Sequence, residues 1–168
     1  MISAGKQVDL RTIRLVGLDL DGTLTDGGFY YLGSGKWGQR FSVRDGVGIK
    51  LLQQLGVEVI FITHSQFESA HERAKMLGVE GYFGAADKLK IWKEVLTKHN
   101  LNNTECAYMG DERADLPILT AVGFSGTVKE AEECVRKCCH FVATKDAGAG
   151  AAREFMECII TARERENA

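Results

Sequence analysis

The stretch at residues 16–27 constrains this chain more than any other. An apolar run ends in Asp19 and Asp21, two residues apart, and Gly22, Thr23 and Thr25 come directly after. Residues 13–18 read as a buried strand, with a turn just beyond. Side chains two apart on a strand point the same way. Here the strand is ending, so both carboxylates can project toward one pocket. Gly22 allows a sharp turn, and the threonines add hydroxyls. Two carboxylates at the end of a buried strand repel each other unless a cation or a proton lies between them. The rest of the chain must supply the groups that complete such a site.

Composition narrows the classes. A chain of 168 residues reads as one domain spanning 1–168. A net charge of -2 gives no electrostatic case for nucleic acid or an anionic membrane as partner. No apolar run reaches the ~18 residues of a membrane span, and residues 1–9 are polar, without a signal-peptide core. Five cysteines, an odd count without disulfide-framework spacing, suit a reducing cytoplasm. Cys134, Cys138, Cys139 and His140 form a C-x3-C-C-H cluster. It reads either as a soft-metal site or as a helix end running into a strand, with thiols as small hydrophobes.

After the opening strand, residues 28–43 read as an aromatic-rich hairpin turning at Gly33, Ser34 and Gly35. It is too apolar for a solvated flap, so it covers the site or meets another subunit. A helix through Leu55 follows, with Val47, Leu51, Leu52 and Leu55 at helical spacing and a stop at Gly56. Strands at 57–62, 79–83, 106–109, 123–126 and 141–143 then alternate with helices at 66–77, 87–99, up to 121, 129–137 and 153–162. The helix at 87–99 presents Ile91, Val95 and Leu96 as its apolar face. This alternation predicts an α/β fold, a doubly wound parallel sheet with helices on both faces and a hairpin insertion after the first strand. The N-terminal arm, the loop at 145–150 and the charged tail at 163–168 stand outside the regular pattern.

In such a sheet, ligands bind beyond the carboxyl ends of the strands. Those ends carry Asp19 and Asp21, then Thr63, then Lys88 at the start of the next helix, then Asp111 and Asp115. Singly, Thr63 reads as a helix cap, Lys88 as a solvated lysine, and the aspartates as helix-dipole partners. Together they suit phosphoryl transfer through a covalent aspartate. Asp19 is the candidate nucleophile and Asp21 the acid–base group. Magnesium is the candidate cofactor, held by Asp19, Asp111 and the backbone carbonyl of Asp21. Thr63 and Lys88 are candidates to grip phosphate oxygens. Asp115 is placed to orient Lys88 or a metal-bound water.

Asp19-Leu20-Asp21-Gly22-Thr23, Thr63, Lys88 and Gly110-Asp111 resemble, in order and context, the four motifs of the haloacid dehalogenase superfamily of phosphotransferases. The resemblance extends to a capless branch, the 3-deoxy-D-manno-octulosonate 8-phosphate phosphatases and their nononate 9-phosphate and cytidylyltransferase-domain relatives. Residues 24–27, the hairpin, residues 41–46 and the tail with Gly148, Gly150, Arg153 and Glu154 carry it, so that it covers nearly the whole chain. It implies a Rossmann-like fold without a cap domain, magnesium, and a homotetramer whose hairpins pack together while a neighbour covers each site. The implied substrate is a phosphorylated sugar acid.

Three departures bear on that substrate. Thr63-His64-Ser65 stands where the branch has Thr-Gly-Arg or Thr-Gly-Glu. Ala147-Gly148-Ala149-Gly150 replaces Gly-Gly-Arg-Gly, and Asp111-Glu112 replaces a pair of aspartates. His64, Ser65, Arg44, Arg73, Gly148 and Gly150 are therefore the candidate substrate contacts, with Glu112 beside the metal ligands. The alternatives are a broader sugar-phosphate phosphatase, because charged readers are missing, and a degenerate assembly domain like that of some cytidylyltransferases. A receiver domain would carry its phosphoacceptor at the end of the third strand, not the first.

Overall fold

The computed structural model describes residues 8–166. The outer parts of the expected N-terminal arm and charged tail, residues 1–7 and 167–168, lie outside the described residues. Among the described residues, eight strands and six α-helices follow in chain order: β1 (Leu15–Leu18), β2 (Tyr30–Gly33), β3 (Lys36–Gly38), α1 (Val43–Gln54), β4 (Glu58–Ile62), α2 (Glu68–Leu77), β5 (Glu80–Tyr82), α3 (Lys88–His99), β6 (Cys106–Met109), α4 (Leu116–Leu119), β7 (Phe124–Thr127), α5 (Glu133–Cys138), β8 (Phe141–Val142) and α6 (Ala151–Glu166).

Six strands form one parallel sheet in the order β5-β4-β1-β6-β7-β8, and β2 pairs with β3 as a separate antiparallel ribbon. The central strands are apolar on both sides because helices cover both faces; all four residues of β1 and of β6 are buried. The chain moves one way from β1 through β4 to β5, then crosses back to β6, β7 and β8. Right-handed crossovers in opposite directions put α1 and α2 on one face and α3, α4 and α5 on the other. α6 returns to pack on α1. Its Phe155 stacks on Phe124 of β7 with ring centroids 4.8 Å apart. The order reverses at β1, so the crevice beyond its carboxyl end, between β4 and β6, is the topological switch point.

The expected elements are all present, with shifted edges. The hairpin's return arm ends at Gly38 rather than running to 43. The backbone then leaves the ribbon, Phe41 bridges to Thr25, and Ser42 caps α1 by accepting from the Arg44 N–H at 3.1 Å. α2 starts at Glu68, because Ser65 and Phe67 form a side-chain-bonded turn. α5 starts at Glu133 rather than 129, after a turn closed by Ala131 N–H on the Val128 carbonyl. α6 starts two residues earlier than expected and runs on to Glu166. The 145–150 loop is tethered, since Glu154 accepts from the backbone of Thr144 and Lys145 at 2.7 and 3.1 Å.

On α3, Trp92 and Val95 are the fully buried apolar residues, while Ile91 and Leu96 are only partly covered. Trp92 reaches β1 because Gly17 has no side chain: a Cβ there would lie 2.6 Å from Tyr108 and 2.9 Å from Trp92. The two rings meet edge to face with centroids 5.6 Å apart. Gly17→Ala is therefore expected to overpack this layer and lower stability by about 1–3 kcal/mol, read as a lower urea midpoint with an unchanged slope.

Candidate active site

The topology delivers the motif residues to one place. Asp19 sits just past β1, its N–H bonded to the Met109 carbonyl at 2.9 Å. Thr63 follows β4, Lys88 opens α3, and Asp111 follows β6. Asp19, Asp21, Thr63, His64, Lys88, Asp111 and Glu112 line one cleft of about 340 Å³, with Gly22, Gly27 and Phe29. Phe29 belongs to the hairpin approach and packs on Phe67, ring centroids 4.9 Å apart.

The floor of the cleft is a buried charge cluster. Lys88 Nζ lies 2.8 Å from Asp19 Oδ1 and 2.8 Å from Asp115 Oδ1, and all three side chains are at most 5% exposed. Tyr108 donates its hydroxyl to the same Asp115 oxygen at 2.8 Å, and Glu112 N–H donates to Asp115 Oδ2 at 3.2 Å. Burial alone would pull Lys88 down; Asp19 and Asp115 outweigh it and hold the ammonium above its ordinary pKa. Burial, then the Asp115 charge, pushes the Asp19 carboxyl well above its ordinary range, against Lys88. Burial, with Asp115 and Asp19, likewise pushes Tyr108 up, which keeps its hydroxyl a donor.

Asp111 completes the cluster. It accepts from Thr23 Oγ at 2.9 Å, and burial, opposed by that bond, pushes its pKa up to about 6. Gly22 at φ +80° lets the chain pass over it; a Cβ there would sit 2.3 Å from Asp111 Oδ2. Carboxylate oxygens of Asp19, Asp111 and Asp115 all lie within 4.8 Å of one another. Three carboxylates against one ammonium leave excess negative charge in a buried place, which a cation relieves. Hard oxygen donors suit magnesium. Asp115 has both oxygens engaged by protein donors, so Asp19 and Asp111 are the carboxylates available to a metal. Among the described residues, this is the one group of three or more metal-type side chains drawn so closely together.

The other expected site residues divide. His64 is exposed on the cleft wall. Ser65 is buried, its N–H donating to Thr63 Oγ1 at 3.0 Å. It shapes the loop and does not line the cleft. Arg73 lies away from the cleft, donating to the Ser42 carbonyl at 2.9 Å and covering the Phe41 ring. Arg44 is exposed at the start of α1 near Gly150. Gly148 packs on the backbone of Thr25 and Asp26, and its N–H donates to the Thr23 carbonyl at 3.3 Å. So Arg44, Arg73, Gly148 and Gly150 do not line this chain's own cleft. The cysteine cluster does not converge either. Cys134 is exposed, Cys139 is buried, and His140 Nδ1 accepts from the Ser125 N–H at 3.1 Å. The cysteines therefore read as a helix end and strand start. Sequence reasoning missed Tyr108, which looks like an ordinary core aromatic, and Gln39, whose amide donates to Asp21 Oδ1.

Residues 82–155 match the haloacid dehalogenase-like hydrolase family. The 3-deoxy-D-manno-octulosonate 8-phosphate phosphatase of Yersinia pestis is 34% identical over 154 residues, 91% of this chain and 82% of that protein. The chain belongs to the haloacid dehalogenase superfamily, in its capless octulosonate phosphatase branch. The phosphatase of that name from Moraxella catarrhalis, in complex with magnesium ion, phosphate ion and KDO, superposes with a TM-score of 0.90 at 32% identity, covering 95% of this chain and 92% of that one. A probable phosphatase from Pseudomonas syringae is 36% identical, with a TM-score of 0.88 and coverage of 95% and 93%.

For a haloacid dehalogenase floor of this kind, the Asp111 charge has a predictable sign. Folding raises its pKa from 3.8 to about 6. The stability tied to its proton is thus full below 3.8 and lost as pH climbs through about 6. Asp111→Asn should raise the metal-free thermal midpoint at pH 7 by roughly 3–6 °C. It should also abolish the rise that added magnesium gives the wild type. Differential scanning fluorimetry with and without magnesium checks both.

Proposed function

We propose that this protein is a magnesium-dependent phosphatase acting on a phosphorylated sugar acid of the octulosonate 8-phosphate or nonulosonate 9-phosphate type, its 168 residues forming a single catalytic domain. The observation that carries the chemistry is the Lys88 ammonium 2.8 Å from Asp19 Oδ1 at the floor of a cleft. The substrate class rests on the relatives named above. In this reading Asp19 attacks phosphorus, the ester P–O bond breaks, and the departing oxygen takes a proton from Asp21. Asp21 then takes a proton from water, whose oxygen attacks the aspartyl phosphate, releasing phosphate and restoring Asp19. Lys88 and Thr63 hold phosphate oxygens as charge develops. Asp19, Asp111 and the Asp21 carbonyl are the ligands for magnesium, which when bound offsets charge between phosphate and carboxylates. Asp115 holds Lys88, and Glu112 supports Asp115 through its N–H.

A second reading, a broader sugar-phosphate phosphatase, is favoured by one feature. Among the described residues lining the cleft, Lys88 is the only lysine or arginine. The walls formed by His64 and Phe29 bring no further lysine or arginine to meet the carboxylate of a sugar acid. The proposed homotetramer addresses this, because a neighbour would complete each site. The hairpin supplies a surface for it: Phe29, Tyr31, Leu32 and Trp37 are each more than half exposed.

Phosphate release should be measured with magnesium from 3-deoxy-D-manno-octulosonate 8-phosphate, a nononate 9-phosphate and hexose phosphates. Preference for a sugar acid supports the first reading and flat turnover the second. Asp19→Asn should lower turnover by at least about a thousandfold, and retained activity would sink the mechanism. Trp37→Glu should convert the assembly to smaller species by sedimentation velocity. A wild-type monomer would overturn the tetramer.

A further inference from the structure

Asp21 lies on the cleft without the buried packing that holds Asp19, so something else must fix its carboxyl. Two donors meet its Oδ1. One is Thr25 Oγ at 3.3 Å, itself held by the Gly27 N–H, which donates to that oxygen at 3.2 Å. The other is the side-chain amide of Gln39, reaching back from the end of the hairpin. The amide is held in turn: Ser69 Oγ, in the first turn of α2, donates to Gln39 Oε1 at 2.8 Å. An amide has a donor end and an acceptor end. The ionised Asp21 carboxylate can only accept, so it selects the NH₂ end, and the Ser69 hydroxyl holds the oxygen end of the amide in place. Both donors fall on Oδ1, which leaves Oδ2 to carry the proton exchanged with the leaving group.

We propose that Gln39 is a positioning residue for the leaving-group step, holding the Asp21 carboxyl in register, with Ser69 setting the orientation of the Gln39 amide. The inference rests on the phosphatase reading above. It assigns a hairpin residue a task separate from covering the site or joining copies. A donor misplaced by an ångström loses most of the benefit of orientation. The loss should fall on the step that needs the Asp21 proton and spare the phosphate grip of Thr63 and Lys88.

The test compares two leaving groups by kcat/KM, which reports steps up to formation of the aspartyl phosphate. A sugar phosphate departs as an alkoxide and needs the proton. p-Nitrophenyl phosphate departs as a stable phenolate and does not. In the 168-residue chain, Gln39→Met keeps the length of the side chain and removes the donor. It should lower kcat/KM for the sugar phosphate by about ten- to a hundredfold, and for p-nitrophenyl phosphate by less than about threefold. Ser69→Ala should shift the same ratio in the same direction by a smaller factor. Inhibition by inorganic phosphate and the thermal midpoint should stay at wild-type values. Equal losses on both substrates, or none on either, overturn the assignment alone. If wild type turns over neither substrate, the phosphatase reading falls and takes this one with it. Should Gln39→Met fail to fold, Ser69→Ala decides, and an unchanged ratio overturns the proposal.

Discussion

The Lys88 ammonium, held between Asp19 and Asp115 with almost no exposure, is the interaction on which the rest of the site depends. Burying ions costs several kcal/mol each unless geometry and extra hydrogen bonds compensate. The surroundings show that compensation. Tyr108 and the Glu112 N–H satisfy Asp115. Trp92, Gly17 and Tyr108 pack closely in the layer beneath, so water is excluded from that side of the charges. A buried pair of this kind is weak support for stability. Its arrangement makes sense as preorganisation, with a cation already in place where negative charge will gather.

The same economy explains the cleft's unpaired charge. Lys88 neutralises one carboxylate of three, and Asp115 is saturated by protein donors. What remains in excess is shared by Asp19 and Asp111, the two carboxylates free to accept a metal. A site balanced without metal would have no driving force to take one. Burial raises the pKa of Asp111 first, and the Asp115 charge adds to it; a divalent cation beside the carboxylate would offset both.

Much of this was legible in the sequence because parallel sheets simplify the reading. Buried strands are apolar runs, and a polar residue at their carboxyl ends has one crevice to face. Asp19, Thr63, Lys88 and Asp111 could thus be placed together from spacing and order alone. The structure departs from the expectation where a residue's contacts are set by a partner distant in sequence. Ser65 and Arg73 looked like substrate readers, yet one is turned into its own loop and the other onto the start of α1. Tyr108 carries no motif, and its hydroxyl is informative only once β6 lies beside Asp115. α5 begins late because a turn at 128–131 intervenes, which helical spacing does not reveal.

Gln39 shows the limit most clearly, and it changes what the hairpin is for. A two-stranded ribbon alone is marginal in water. This one is held at its base by the Thr25–Phe41 bridge, by Phe29 on Phe67, and by the Ser69–Gln39–Asp21 chain. At its far end it exposes Tyr31, Leu32 and Trp37. In the proposed assembly, burial of that apolar end between copies would order the ribbon, and an ordered ribbon holds the Gln39 amide on Asp21. Association and proton transfer would then be linked through one short element, with no contact from the neighbour to the reacting atoms required.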